Sequence, residues 1–304
     1  MVETKQYSVF HKIVLGLSKL DLKAQLEHST ATIDQLDSNG MSALWWASAR
    51  GDILAVRLLL SYGASVTTSK KYMHGGPLHI AAKPEIIHLL LEHGADVEAR
   101  DDKGRSPLHV FSYKGPGRGG STDLLEAILE RSADPNSQTP AGHTALGYAA
   151  MYGLVDYIHL LLRWGASLDV RKYVDGYTPL LDAVRHCHAE AVKVLLENGA
   201  DYSVKSSRGE TILHICARNA DCTTMDILAE AGMFDLDLDA RDGCGMSATD
   251  CFAVRRGKAV ELELAMGALY ASIRKDNLLD VAEAYEGCDD HSGNRQGVGS
   301  STQY

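Results

Sequence analysis

Three stretches of this 304-residue chain bring reactive residue types close enough together to suggest chemistry. "GPGRGGST", residues 115–122, spaces its glycines like a phosphate-cradling loop and closes on Ser121 and Thr122. Such a loop needs a lysine before the hydroxyl residue to reach the phosphates, and a strand ahead of it. The lysine is missing and no strand signal precedes it, so the stretch reads as an insertion between two helices. "RHCHAE" sets His186, Cys187 and His188 side by side. On a helix, consecutive residues point in three directions, so one ion cannot collect all three. In "LHIC", Cys216 stands in a slot that small residues fill elsewhere, which makes it a core residue rather than a nucleophile. No nucleophile elbow, H-E-x-x-H run or paired-carboxylate motif occurs. The chain is therefore expected to be no enzyme and to hold no metal and no cofactor.

Bulk composition narrows the classes further. Forty acids against 30 bases give a net charge of −10, which argues against nucleic acid or anionic membrane covering the whole surface. No apolar run approaches the roughly 20 residues of a membrane span. The start "MVETKQYSVFHK" lacks the basic head and apolar stretch of a signal peptide. All six cysteines lie in the second half without a C-x-x-C pair, as expected for reduced thiols in a cytoplasmic or nuclear protein.

The elements that would position these residues recur. "LLEHGAD" near residue 90 returns as "LLENGAD" 105 residues later. The slot after its glycine falls at Ala64, Ala95, Ala133, Ala166, Ala200 and Met233, in steps of 31, 38, 33, 34 and 33. A second phrase, twenty residues ahead of this slot in the regular units, reads "GMSALWWA", "GHTALGYA", "GYTPLLDA" and "GETILHIC". "GGPLHIA", "GRSPLHVF" and "GMSATDCF" are altered copies. Ser42, Ser106, Thr144, Thr178, Thr211 and Ser247 supply hydroxyls for helix N-caps. Pro77, Pro107 and Pro179 sit one place later, where a missing N–H costs nothing. An apolar run such as "VRLLL" or "VKVLL" predicts a second helix, and the glycine after it predicts a left-handed stop.

This 33-residue unit with T-P-L-H-x-A resembles the ankyrin repeat family. His79, His109 and His214 match the motif's histidine, while Trp45, Gly147, Leu181 and Asp250 depart from it. The resemblance implies an all-α solenoid with six clear repeats and a decayed seventh. The expected divisions are a partial N-terminal cap (1–37), the repeat domain (38–270), a C-terminal capping helix (271–286) and a disordered tail (287–304).

The resemblance also implies a concave palm at positions five and six after the motif's leucine. These are Ala49/Arg50, Lys83/Pro84, Tyr113/Lys114, Met151/Tyr152, Arg185/His186, Arg218/Asn219 and Val254/Arg255. Six of these fourteen are Lys or Arg and none is acidic, so the palm inverts the overall sign. Tyr72 in "KKYMHG" and Tyr173 in "RKYVDG" are fingertip candidates, either as contact residues or as tyrosines packed on the adjacent finger. The expected function is non-catalytic protein binding by a monomeric adaptor, scaffold or regulatory subunit whose partner is an acidic or phosphorylated segment. The alternative is nucleic acid on the same palm, disfavoured by net charge and by few Phe and Trp platforms for stacking bases.

Overall fold

The turns come before the helices in each unit. Asp101 shows how one is tied: its Oδ1 accepts from Lys103 N at 2.9 Å and Arg105 N at 2.8 Å. Asp37 and Asp242 do the same for Asn39 and Met41, and for Cys244 and Met246. Ser206 repeats the pattern with a hydroxyl toward Arg208 and Glu210. A side-chain acceptor thus replaces the missing ladder of a short hairpin and aims the chain at the next N-cap.

The chain is described here by a computed structural model covering residues 7–28, 32–67, 75–114, 120–233, 236–255 and 260–286, with side chains through 274 in the last stretch. Tyr72, the centre of the Gly-rich insertion (115–119) and the tail from 287 lie outside the described residues. Every regular element described is helical. The helices come as inner and outer members of successive pairs: α1 (Val9–Val14) with α2 (Leu22–His28), and α3 (Ala43–Arg50) with α4 (Ile53–Ser61). A 3₁₀ turn (Pro77–Ile80) then pairs with α5 (Pro84–Glu92), and α6 (Pro107–Tyr113) with α7 (Thr122–Leu129). Next come α8 (Ala145–Met151) with α9 (Val155–Arg163), and α10 (Pro179–Arg185) with α11 (Ala189–Glu197). The last pairs are α12 (Ile212–Asn219) with α13 (Cys222–Glu230), and α14 (Ala248–Val254) with α15 (Val260–Glu286). Inner helices stack on inner ones, α6 on α8, α8 on α10, and α10 on α12. Outer helices stack likewise, α7 on α9 and α9 on α11.

One apolar cluster runs the length of the stack. Leu59, Ile86, Leu90, Ile128, Leu161 and Leu195 from the outer helices are fully buried in it. Each such side chain contributes about 1.5–3 kcal/mol relative to exposure. Ala47, Ala149 and Ala183 bring inner helices close, and Cys216 fills the same slot at zero exposure. The outer helices end where expected: Gly199 takes φ +85°, and Ser132 accepts φ +65° in the slot where the other units carry glycine.

Histidines stitch unit to unit. His109 Nδ1 accepts from Ser106 N at 3.2 Å, so its proton sits on Nε2, which donates to the Ser137 and His143 carbonyls at 2.9 and 3.1 Å. His214 reaches Met246 O at 2.9 Å in the same way. Trp45, a departure from the motif, still crosses the gap: its indole N–H donates to Gly75 O at 3.2 Å.

The structure corrects three expectations and adds a fourth finding at the N-terminus. His186, Cys187 and His188 do not share a helix; they form the turn between α10 and α11, with Cys187 at φ +57°. The inner element at Pro77–Ile80 is a single 3₁₀ turn: its outer helix starts six positions after Leu78, where α4 starts nine after Leu44, and Gly76 in place of a cap hydroxyl leaves His79 Nδ1 without a partner. The last helix runs unbroken through residue 270, packed on α13. Inside the expected N-terminal cap (1–37), Ser8-Val9-Phe10-His11 is a full copy of the capping motif. His11 Nδ1 lies 2.6 Å from Ser8 Oγ, and its Nε2 donates to Met41 O at 2.9 Å.

Candidate partner-binding face

Two rows of side chains meet along the inner helices. One comes from the C-terminal ends of the inner helices. The other is the residue just before each N-cap: Arg105, His143, Tyr177 and Glu210. This second row was missed in the sequence, although its signal is plain: each residue follows the turn glycine at a fixed offset.

At the N-terminal end Arg50 closes α3, and Gly51 follows with φ +70°. Lys83 lies across that glycine, so a Cβ there would come 3.1 Å from Lys83 Cε. The two cations are exposed neighbours on successive units.

The centre is aromatic. The Arg105 guanidinium is held by Asp101 at 2.6 Å and sits 5.1 Å from the centre of the Tyr113 ring. Tyr113 is 5.8 Å from Tyr148 and 6.3 Å from Tyr152, ring centre to ring centre. His143 stacks on Tyr148 at 4.8 Å. Burial pushes the Tyr148 hydroxyl above its ordinary range and the His143 imidazole below its own. Lys114 is half-buried beside this group; burial, then Arg105, lowers its pKa.

Toward the C-terminus the cations are already engaged. The Arg185 guanidinium lies 5.3 Å from the Tyr177 ring centre and 3.7 Å from Asp175. His186 Nδ1 donates to Asp182 O at 2.9 Å. Tyr177 donates to Glu210 at 3.1 Å, and burial followed by Glu210 pushes its hydroxyl up to about 12. Arg218 bridges Glu210 and, at 2.6 Å, Asp242. It also points two N–H groups at Cys251 Sγ. Arg255 folds under α12 and donates to the Ala220, Asn219 and Ala217 carbonyls, closing that helix's free end.

The "RKYVDG" finger contains a second feature missed in the sequence. Lys172, 8% exposed, pairs with Asp182, 1% exposed, at 2.8 Å and with Asp175 at 3.1 Å. Burial raises the Asp182 carboxyl, and Lys172 only partly offsets it. Tyr173 is 67% exposed yet docked on the preceding finger: its hydroxyl donates to Gln138 at 2.7 Å and its N–H to Ala141 O at 3.0 Å. Of the two fingertip readings, contact with the adjacent finger is therefore seen.

Among the described residues no group of three or more His, Cys, Asp or Glu is placed to hold a metal ion. No described helix is long and apolar enough to cross a membrane. The described cysteines Cys187, Cys216, Cys222, Cys244 and Cys251 are unbridged.

The family model described as "Ankyrin repeats (3 copies)" matches residues 12–101 and again 108–206. The chain belongs to the ankyrin repeat family. Among its relatives, palmitoyltransferase AKR1 of Lachancea kluyveri is 31% identical over 215 residues, covering 66% of this chain and 29% of that protein. Human palmitoyltransferase ZDHHC13 is 28% identical over 226 residues, covering 72% and 33%. The chain thus matches about a third or less of these relatives' length. The crystal structure of the ankyrin repeat domain of Bcl-3 superposes with a TM-score of 0.61 at 24% identity, covering 73% of this chain and 98% of that one. Ankyrin repeat proteins generally act as protein–protein interaction modules, and the described residues bring together no catalytic constellation.

Proposed function

We propose that this ankyrin solenoid is an adaptor, scaffold or regulatory subunit that binds an acidic or phosphorylated segment of a partner protein on its concave face. The observation that carries this reading is the composition of the inner-helix ends: six cations, no acid and two clustered tyrosines, in a chain with ten more acids than bases. Such a strip steers an acidic ligand inward, and its aromatic centre supplies anchors of the type that dominate interface energies. We read the array as six units and a decayed seventh. We propose a monomer acting in the cytoplasm or nucleus, a compartment consistent with the unbridged described thiols.

The test is affinity capture followed by mass spectrometry, with and without nuclease, repeated with Arg50, Lys83, Lys114 and Arg185 reversed to Glu. Capture of a protein partner that survives nuclease and is lost with the reversed palm supports the reading. Nuclease-sensitive capture would instead favour nucleic acid on the same face. A partner held equally well by the reversed palm would refute both.

A further inference from the structure

The concave row divides into two halves that differ in what their cations already hold. Arg185, Arg218 and Arg255 are engaged by Asp175 and Tyr177, by Glu210 and Asp242, and by the carbonyls that end α12. Arg50, Lys83 and Lys114 have no carboxylate in ion-pair reach among the described residues. A cation already paired offers an incoming acid little, since the acid must displace a carboxylate that is already desolvated. A free cation beside a glycine surface, such as Lys83 over Gly51, pays no such cost. Lys114 gains most, because burial already penalises its charged form and nothing acidic compensates it.

The spacing then sets the ligand. Neighbouring helices lie ~10 Å apart, and one three-residue turn of polyproline II chain spans ~9 Å and returns its side chains to the same face, whereas a flat strand would turn every third one away. Beyond Lys114, toward α8, the cations give way to the Tyr113, Tyr148 and Tyr152 rings.

We propose that the partner segment lies along the N-terminal half alone. It is a polyproline II stretch whose carboxylates fall three positions apart over Arg50, Lys83 and Lys114, followed by an apolar side chain on the tyrosine cluster. The C-terminal half is a self-braced scaffold that takes no part in the contact. This rests on the concave-face reading above and narrows it to about nine residues of a stated pattern.

A phage-displayed library of random twelve-residue peptides, panned on the full chain, is the probe. Selected peptides should carry Asp or Glu at every third position, then an apolar residue. Arg50→Glu with Lys83→Glu should weaken them about a hundredfold, and Tyr152→Ala should weaken them by about tenfold. Arg185→Glu should change binding by no more than about threefold. Thermal melts of all variants verify folding; Arg50 and Lys83 are exposed and outside any ion pair, so their melts should match the parent, while Arg185→Glu gives up its contacts with Asp175 and Tyr177 and should melt slightly lower but remain cooperative. If Arg185→Glu weakens binding as much as the double reversal, the division into halves is wrong while the concave reading stands. If the selected peptides lack the acidic spacing, or none is selected, the proposed pattern is wrong. If they are indifferent to every one of these substitutions, the pattern and the concave reading fall together.

Discussion

Arg218 is the sharpest test of the idea that half of this palm is structural. Its side chain is 35% exposed, but the carboxylates it bridges are not: Glu210 is 5% and Asp242 3% exposed. Burial pushes the Asp242 carboxyl up, but the N–H groups of Met246 and Cys244, with Arg218, hold it below the ordinary range. Arg218→Met keeps the aliphatic stem and leaves two nearly buried acids facing each other without their cation. Removing one partner of a fully buried pair costs about 3–5 kcal/mol. Discounted for the guanidinium's exposure, the expected loss is about 2–3 kcal/mol. A Tm decrease of roughly 4–12 °C follows for a domain of this size. Arg50→Met, made as a control on an exposed cation, should stay within about 0.5 kcal/mol of the parent. Adding Glu210→Gln and Asp242→Asn to Arg218→Met should recover most of the loss, because the stranded charges are then gone. Circular dichroism melts and urea titrations read all four proteins. If Arg218→Met melts with Arg50→Met, the bridge is a surface ornament and the structural half of the palm has no energetic basis.

Three further outcomes are expected. Gly199→Val forces a β-branched residue to φ +85° and should cost about 1–2 kcal/mol or more. Ser132→Gly should stabilise by up to about 1 kcal/mol, since Ser132 already holds φ +65°; unchanged melts for both would contradict the left-handed stop. Burial depresses the His109 imidazole from 6.5 to about 4. The unfolded chain therefore binds a proton there that the folded chain does not, and stability should fall as pH drops from about 6.5 to about 4. The slope is about 1.4 kcal/mol per pH unit for one imidazole. It should flatten in His109→Gln, and an identical pH profile in that variant would refute the assignment.

Much of the scaffold was legible because it is local. The cap hydroxyls, the prolines at the first helical position and the left-handed residue after the outer helices all act within their own turn, and all fall where the repeat period puts them. What failed did so for identifiable reasons. The Ser8-Val9-Phe10-His11 motif carries Val and Phe where the consensus has Pro and Leu, so only its spacing of 34 residues from Ser42 could have found it. Cys187 was read on a helix, although it lies seven residues after Leu180, as Gly51 and Gly153 lie after Leu44 and Leu146. That offset marks a left-handed position. The engagement of Arg218 could not be read at all, because its acids stand 8 and 24 residues away and meet it only when two fingers stack.

Partner binding on the concave side should leave a footprint along the inner helices. Hydrogen–deuterium exchange of the full chain, free and with the captured partner, tests this directly. Protection should appear in the inner helices and the turns that feed them, α3, α6 and α8 with residues 101–106 and 139–144, while α9, α11 and α13 exchange as before. Protection confined to those outer helices would contradict it.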